Sequence, residues 1–196
     1  AVAAVLFLAG IILIRGQSGK MLQMGDVRSW LTRRAQDFER TSKGGTGMQT
    51  GRHVAILMAS YNGARFLRQQ LDSIAAQGHD DWSLHVSDDG SSDGTLAILA
   101  AFARGHPGRR IVWRRGPGRG STANFLSLLH DPRIKADFFA FADQDDVWLP
   151  EKLGRAVAAL APHAATPALY GSRTWVTDAG LTIRGVSPMP RRTPGF

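Results

Sequence analysis

Cysteine is absent from this chain of 196 residues, which excludes disulfides and thiolate metal sites and leaves oxygen ligands and histidine for any metal. A reducing compartment is in keeping with that composition. Histidine adds little: His53, His79, His85, His106, His130 and His163 show no ligand spacing and read as surface or packed residues. Acidic residues are in deficit, 16 against 24 lysines and arginines, and the resulting formal charge of +8 points to an anionic partner. Nucleic acid, a lipid headgroup and a phosphorylated small molecule would all satisfy it. Aromatics make up only 8% of the residues, and neither basic stretch, Arg15 to Lys43 or Arg104 to Arg119, interleaves them regularly as a single-strand nucleic-acid platform does. Nucleic acid is therefore not expected as a partner. Long apolar runs are missing too. Ala1 to Ile14 is apolar but stops at Arg15, short of the roughly 20 residues that a hydrocarbon core requires.

A content of 43% hydrophobic residues is enough for one core with an extension at one end. The expected division is an apolar leader or partial membrane segment at 1–14, a basic Gly-rich linker at 15–51 with a short helix around Val27 to Phe38, a domain at 52–185 and an irregular tail at 186–196. The chain opens without methionine, as a fragment or an over-extended reading frame would. Were a longer membrane segment to precede it, the basic linker would put the remainder on the cytoplasmic side. Localisation is accordingly expected to be cytoplasmic, with association at the inner face of the plasma membrane.

From His53 onward, strand-like and helix-like segments alternate, which predicts an α/β domain with a mostly parallel sheet. Strands are expected at His53 to Ala59, Trp82 to Ser87, Ile111 to Arg114, Asp137 to Ala142 and Ala168 to Val176. Helices are expected through Leu67, Leu71, Ile74 and Ala75, over Leu96 to Ala103 with Ser92 or Asp93 as cap, over Ala123 to His130, and over Pro150 to Leu160 with Pro150 in the first turn. In open α/β sheets ligands gather beyond the carboxyl ends of the strands. The clusters Ser60-Tyr61-Asn62, Asp88-Asp89 and Asp143-Gln144-Asp145-Asp146 each follow a predicted strand, so one crevice can collect them all.

The acidic tetrad follows the apolar run Phe138 to Ala142. Three carboxylates at the exit of a buried strand repel one another and lose hydration, which calls for a compensating cation. Asp143 and Asp145 stand two residues apart, so extended geometry sends both to one side, a grip for one hard ion. Mg²⁺ or Mn²⁺ takes few protein carboxylates and keeps positions for water and phosphate, and there it offsets the charge of a departing diphosphate. Near Asp88 and Asp89, a carboxylate can accept the imide N–H of uracil or thymine, and Gly90 lets the backbone approach a ring. Asp93 reads as a cap.

The succession Val54 to Gly63, Ser87 to Thr95, Asn124-Phe125-Leu126-Ser127-Leu128-Leu129 and Phe141 to Trp148 resembles the inverting family 2 glycosyltransferases of GT-A fold. Its Asp-Gln-Asp-Asp-x-Trp form is most similar to the bacterial rhamnosyltransferase-type subgroup. The likeness spans roughly residues 52 to 180. It implies that Ser60, Tyr61 and Asn62 line the nucleotide pocket, that Asp88 or Asp89 contacts the base, and that Asp143 and Asp145 bind the metal, with Asp145 the direct ligand. It further implies a place for Asn124 near the donor's diphosphate or sugar, a phosphate contact for Arg119 and a sugar-pocket role for Trp148. The expected partners are a dTDP- or UDP-sugar donor and a saccharide or lipid-linked acceptor of envelope polysaccharide assembly.

Inversion by single displacement needs a carboxylate base near the acceptor hydroxyl. The resemblance implies that a segment downstream of Phe196 supplies this base, and beyond Glu151 the sequence itself holds only Asp178, in a Thr177-Asp178-Ala179-Gly180 turn pattern. A truncated, non-catalytic nucleotide-sugar-binding domain is the alternative. Asp143-x-Asp145-x-Val147 also fits the nucleophile loop of haloacid-dehalogenase-type phosphatases, but that loop belongs on the first strand. Roughly 140 residues precede it here and Lys152 lies too close. A calcium loop fails for want of its terminal glutamate.

Overall fold

The computed structural model describes residues 53–163 and 168–188, so the expected leader, linker and 27–38 helix lie outside the described residues, as does most of the tail. Four parallel strands form the central sheet: β1 (Val54–Ser60), β2 (Trp82–Asp88), β3 (Ile111–Arg115) and β4 (Phe138–Asp143), in the order β3-β2-β1-β4. All seven residues of β1 and of β2 are buried, as befits central strands covered on both faces. Helices α1 (Leu67–Ala75), α2 (Thr95–Gly105), α3 (Ser121–Leu129) and α4 (Lys152–Leu160) alternate with the strands.

Alternation along each strand builds two cores. Val54, Ile56 and Met58 of β1, with Leu84 and Val86 of β2 and Ala140 of β4, pack against Leu67, Leu71 and Ile74 of α1, Leu99 and Phe102 of α2, and Leu153 and Val157 of α4. The opposite face sends Ala55, Leu57 and Phe139 against Leu128 and Leu129 of α3. Between β4 and α4 the chain has no ladder, and α1 with the turn that follows it supplies its backbone partners instead. Ser73 Oγ accepts the Trp148 N–H at 3.0 Å, Gln77 donates to the Leu149 carbonyl at 2.8 Å and accepts from Leu153 N at 3.0 Å, and Gly78 N donates to the Pro150 carbonyl at 2.9 Å.

The observed elements follow the expected ones with small shifts. β1, β2 and β4 each run one residue further, ending on Ser60, Asp88 and Asp143. α4 starts at Lys152, leaving Pro150 in the preceding turn. Asp93, and not Ser92, takes the Thr95 N–H at 3.0 Å at the head of α2. One strand is corrected: of Ala168 to Val176 only the end is extended, as β5 (Trp175–Thr177), which pairs antiparallel with β6 (Ile183–Val186) and not with the main sheet. Asp178 closes this hairpin as expected, accepting from Gly180 N and Thr182 N at 3.0 Å each and pairing with Arg184. Among the described residues no helix is long and apolar enough to cross a membrane.

Candidate functional site

The ladder brings the strand ends together, with Ser60 opposite Asp88 and Ala59 opposite Asp143. Above them lies a cavity of about 520 Å³ lined by Ser60, Tyr61, Asp89, Gly118, Gly120, Ser121, Asn124, Asp143, Gln144 and Asp145, among others. The sequence-predicted crevice therefore exists, and it gathers Ser60, Tyr61, Asp89, Asn124, Asp143 and Asp145.

Asp88 and Asp89 have separate tasks. The Asp88 side chain is buried and saturated: Oδ1 accepts from Ser60 Oγ at 2.9 Å and Ser91 Oγ at 2.6 Å, while Oδ2 accepts from Gly90 N at 3.1 Å and Ser91 N at 2.8 Å. It shapes the loop after β2 and is not among the lining residues. Asp89 faces the cavity, where Oδ1 accepts from Gly118 N at 2.9 Å and Oδ2 from Gly120 N at 3.0 Å. Gly118 and Gly120 have φ of 66° and 83°, which makes glycine the natural occupant of both. Gly116 is glycine for space, since a Cβ there would fall 2.3 Å from Asp89 Oδ1 and 2.5 Å from Asn124 Oδ1. Buried Asn124 donates to the Ser87 carbonyl at 2.7 Å, pinning the first turn of α3 to the end of β2, while its Oδ1 has no partner.

At the acidic loop, burial together with the Asp146 and Asp145 charges pushes the Asp143 carboxyl up to about 6, against the opposing pull of Lys152. Asp146 is raised by burial as well, and the Lys152 ammonium is lowered by its own burial while both acids support its charge. Lys152 lies 4.7 Å above the Trp148 ring. Part of the cation that the buried acids demand is thus supplied from the first residue of α4, a contribution that sequence reasoning passed over. Asp143 stays raised even so. Two cavity-lining carboxylates, one of them imperfectly compensated, suit a hard divalent ion that completes its shell with water and phosphate oxygens. Among the described residues no group of three or more His, Asp or Glu converges as a closed protein cage.

Besides Asp88, three further expected site residues stand elsewhere. Trp148 is 3% exposed and belongs to the core beside α1 and α4, so the sugar-pocket expectation is corrected: its indole packs beneath Lys152 and offers no face to the cavity. Asn62 has φ of 48° and does not line the cavity; its Oδ1 accepts from Ser92 N at 2.9 Å and its N–H donates to Ser91 Oγ at 2.8 Å, which locks the β1 loop to the β2 loop. Arg119 is exposed between the two lining glycines without lining the cavity.

The profile of glycosyl transferase family 2 matches residues 55–189. The dTDP-rhamnosyl transferase RfbG of Shigella flexneri is 36% identical over 105 residues, which is 53% of this chain and 36% of that protein. An uncharacterized glycosyltransferase of Nostoc sp. is 30% identical over 107 residues, 53% of this chain and 31% of its own length. The chain thus spans about a third of the length of these curated relatives. Among solved structures, the mannosyltransferase PcManGT from Pyrobaculum calidifontis, in complex with GDP-Man and Mn²⁺, superposes with a TM-score of 0.52 at 23% identity, over 70% of this chain and 40% of that one. At that identity the likeness speaks for the fold alone, the GT-A fold. With a family profile covering all but the first residue of the parallel sheet and every lining residue of the cavity, the chain belongs to glycosyl transferase family 2.

Proposed function

We propose that this chain is the donor-binding part of an enzyme that moves a sugar, with inversion, from a nucleoside diphosphate to a saccharide or lipid-linked acceptor of envelope polysaccharide. The observation that carries the reading is that one cavity joins Ser60, Tyr61, Asp89, Asp143 and Asp145 from three strand ends with Asn124 from the first turn of α3. Asp89 accepts the imide N–H of a thymine or uracil ring, and Tyr61 and Ser60 form the wall beside the nucleoside. Asp145 and Asp143 would hold a Mg²⁺ or Mn²⁺ ion, which when bound neutralises the diphosphate as it leaves the sugar carbon. We assign a phosphate contact to exposed Arg119, whose neighbours Gly118 and Gly120 line the cavity. The similarity to RfbG favours dTDP-rhamnose as donor. The acceptor's proton goes to a carboxylate that we assign outside the described residues, because Asp178 is committed to its hairpin and to Arg184. That commitment also favours a second reading, a non-catalytic nucleotide-sugar-binding domain. We assign the protein to the cytoplasm, where the basic residues between 15 and 43 can meet the inner face of the membrane.

The first test is thermal unfolding with dTDP or UDP plus Mn²⁺. A rise in Tm that simple phosphate monoesters do not reproduce, and that Asp145→Ala abolishes, supports the donor site. Retention of the full shift in Asp145→Ala would overturn the metal assignment. Sugar transfer to a saccharide acceptor, absent or present, then separates the binding-only reading from the enzymatic one.

A further inference from the structure

Gln144 stands between the two carboxylates that line the cavity, yet its side chain turns to the neighbouring strand. Tyr61 N–H donates to Gln144 Oε1 at 2.8 Å and Gln144 Nε2 donates back to the Tyr61 carbonyl at 3.0 Å. A carboxamide has one acceptor and one donor end, the same pair a strand backbone presents, so this contact extends the β1–β4 ladder by one rung after the backbone pairing stops at Ala59 and Asp143. Gly63 makes the rung possible. A Cβ at position 63 would lie 2.3 Å from Gln144 Oε1 and 2.6 Å from its Cδ, and Gly63 is not among the positive-φ residues, so close approach and not backbone conformation calls for glycine there. The atoms it would strike are the end of a flexible side chain, so a methyl group at 63 displaces the amide without rebuilding the loop.

We propose that Gln144 is a positioning residue, clamping the Tyr61 peptide so that the nucleoside wall (Ser60 and Tyr61) and the diphosphate wall (Asp143 and Asp145) hold a fixed separation across the cavity, with Gly63 as the space reserved for that clamp. The positioning role rests on the donor-site reading above; the clamp itself does not. Carboxamide chemistry is required, since a glutamate at 144 could not donate to the Tyr61 carbonyl and would add a further negative charge to a loop already holding Asp143, Asp145 and Asp146.

The test is a double-mutant cycle on the full chain with Gln144→Ala, Gly63→Ala and the pair, each followed by Tm alone and by Tm with UDP or dTDP plus Mn²⁺. Each single variant is expected to lower the unliganded Tm by roughly 2–5 °C. The double variant is expected to fall no further than Gln144→Ala, because the methyl group then meets no amide. All three should lose affinity for the nucleotide by on the order of tenfold, a loss the non-additivity in Tm does not rescue. Gln144→Glu should bind as poorly as Gln144→Ala. Additive losses of unliganded Tm would overturn the clamp. A non-additive cycle with undiminished nucleotide affinity would overturn the positioning role and leave a structural clamp. A wild-type chain that shows no nucleotide-induced shift would sink the donor-site reading and the positioning role together, while the unliganded cycle still decides the clamp.

Discussion

At the level of single residues, the adjacent acids Asp88 and Asp89 look alike in the sequence, and only a three-dimensional inventory of hydrogen bonds tells them apart. Asp88 receives four donors, two on each oxygen. Asp89 receives one on each and keeps acceptor capacity toward the cavity. In Asp88→Asn, whichever way the amide turns, an NH₂ group confronts two donors. The expected loss is about 2 kcal/mol in urea unfolding. Asp89→Asn should lose less than half of that and should instead weaken nucleotide binding. The reverse ranking would undo the division of labour between them. Ser60, Tyr61, Asp89, Asp143 and Asp145 were legible as cavity residues because strand ends concentrate ligand chemistry, whereas the loop-fastening tasks of Asn62 and Asp88 were not. The roles of Gln144, Lys152 and Gly116 were not, because each depends on a partner more than seven residues away or on space that no local pattern encodes: Tyr61 for the glutamine, the buried Asp143 for the lysine, and Asn124 for the glycine.

At the level of elements, the four strands and the four helices of the main fold were readable from their alternation, and all but β3, where only Ile111 is buried, bury a face that their own sequence marks as apolar. The stretch from Ala168 to Val176 departs from the single strand expected there, because local sequence does not separate a strand of the main sheet from the arm of an exposed hairpin. Trp175 and Val176 remain 55% and 43% exposed, and among the described residues their ladder partner is β6. Polar residues in and just after α1 mislead in the opposite sense. Ser73 and Gln77 would pass as solvated positions, yet they are 8% and 5% exposed, because the loop from Gln144 to Glu151 uses them in place of a ladder. Ser73→Ala leaves the Trp148 N–H without its acceptor. The expected result is a loss of roughly 1–2 kcal/mol, with faster hydrogen exchange at the Trp148 amide than at amides of β1. Exchange unchanged at Trp148 would mean that α1 does not hold the acidic loop.

Across the whole molecule, the cavity lies at the carboxyl ends of the strands, whereas a polar network with an acid-sensitive group enters from their amino ends and reaches His85 midway along β2. Near the amino ends of β1 and β2 runs a chain of polar contacts: Asp81 to His53 at 2.6 Å, His53 to Ser83 at 3.0 Å and Ser83 to His85 at 3.0 Å. Burial pushes the His85 imidazole down to about 4, helped by the charges of Arg110, His53 and Arg114 and opposed by Asp131. The unfolded chain takes up this proton near pH 6.5 and the folded chain only near 4. Between those values the unfolded state binds more protons, so the contribution of His85 to stability is intact above about pH 6.5, falls as the pH drops and levels off below about pH 4, a swing of roughly 3 kcal/mol. Asp131, pulled down to about 2 chiefly by Arg133, acts lower: its contribution is full above its ordinary 3.8 and disappears as the pH falls through 2. Repulsion among the excess cations adds to acid sensitivity, and by the same amount in a variant that keeps the remaining charges. Urea unfolding of the wild type and His85→Gln at pH 7, 5.5 and 4 therefore isolates the imidazole. The variant should show a distinctly flatter decline across this interval and an unchanged decline below it. Parallel curves from pH 7 to 4 would mean that His85 titrates alike in both states and that acid sensitivity arises elsewhere.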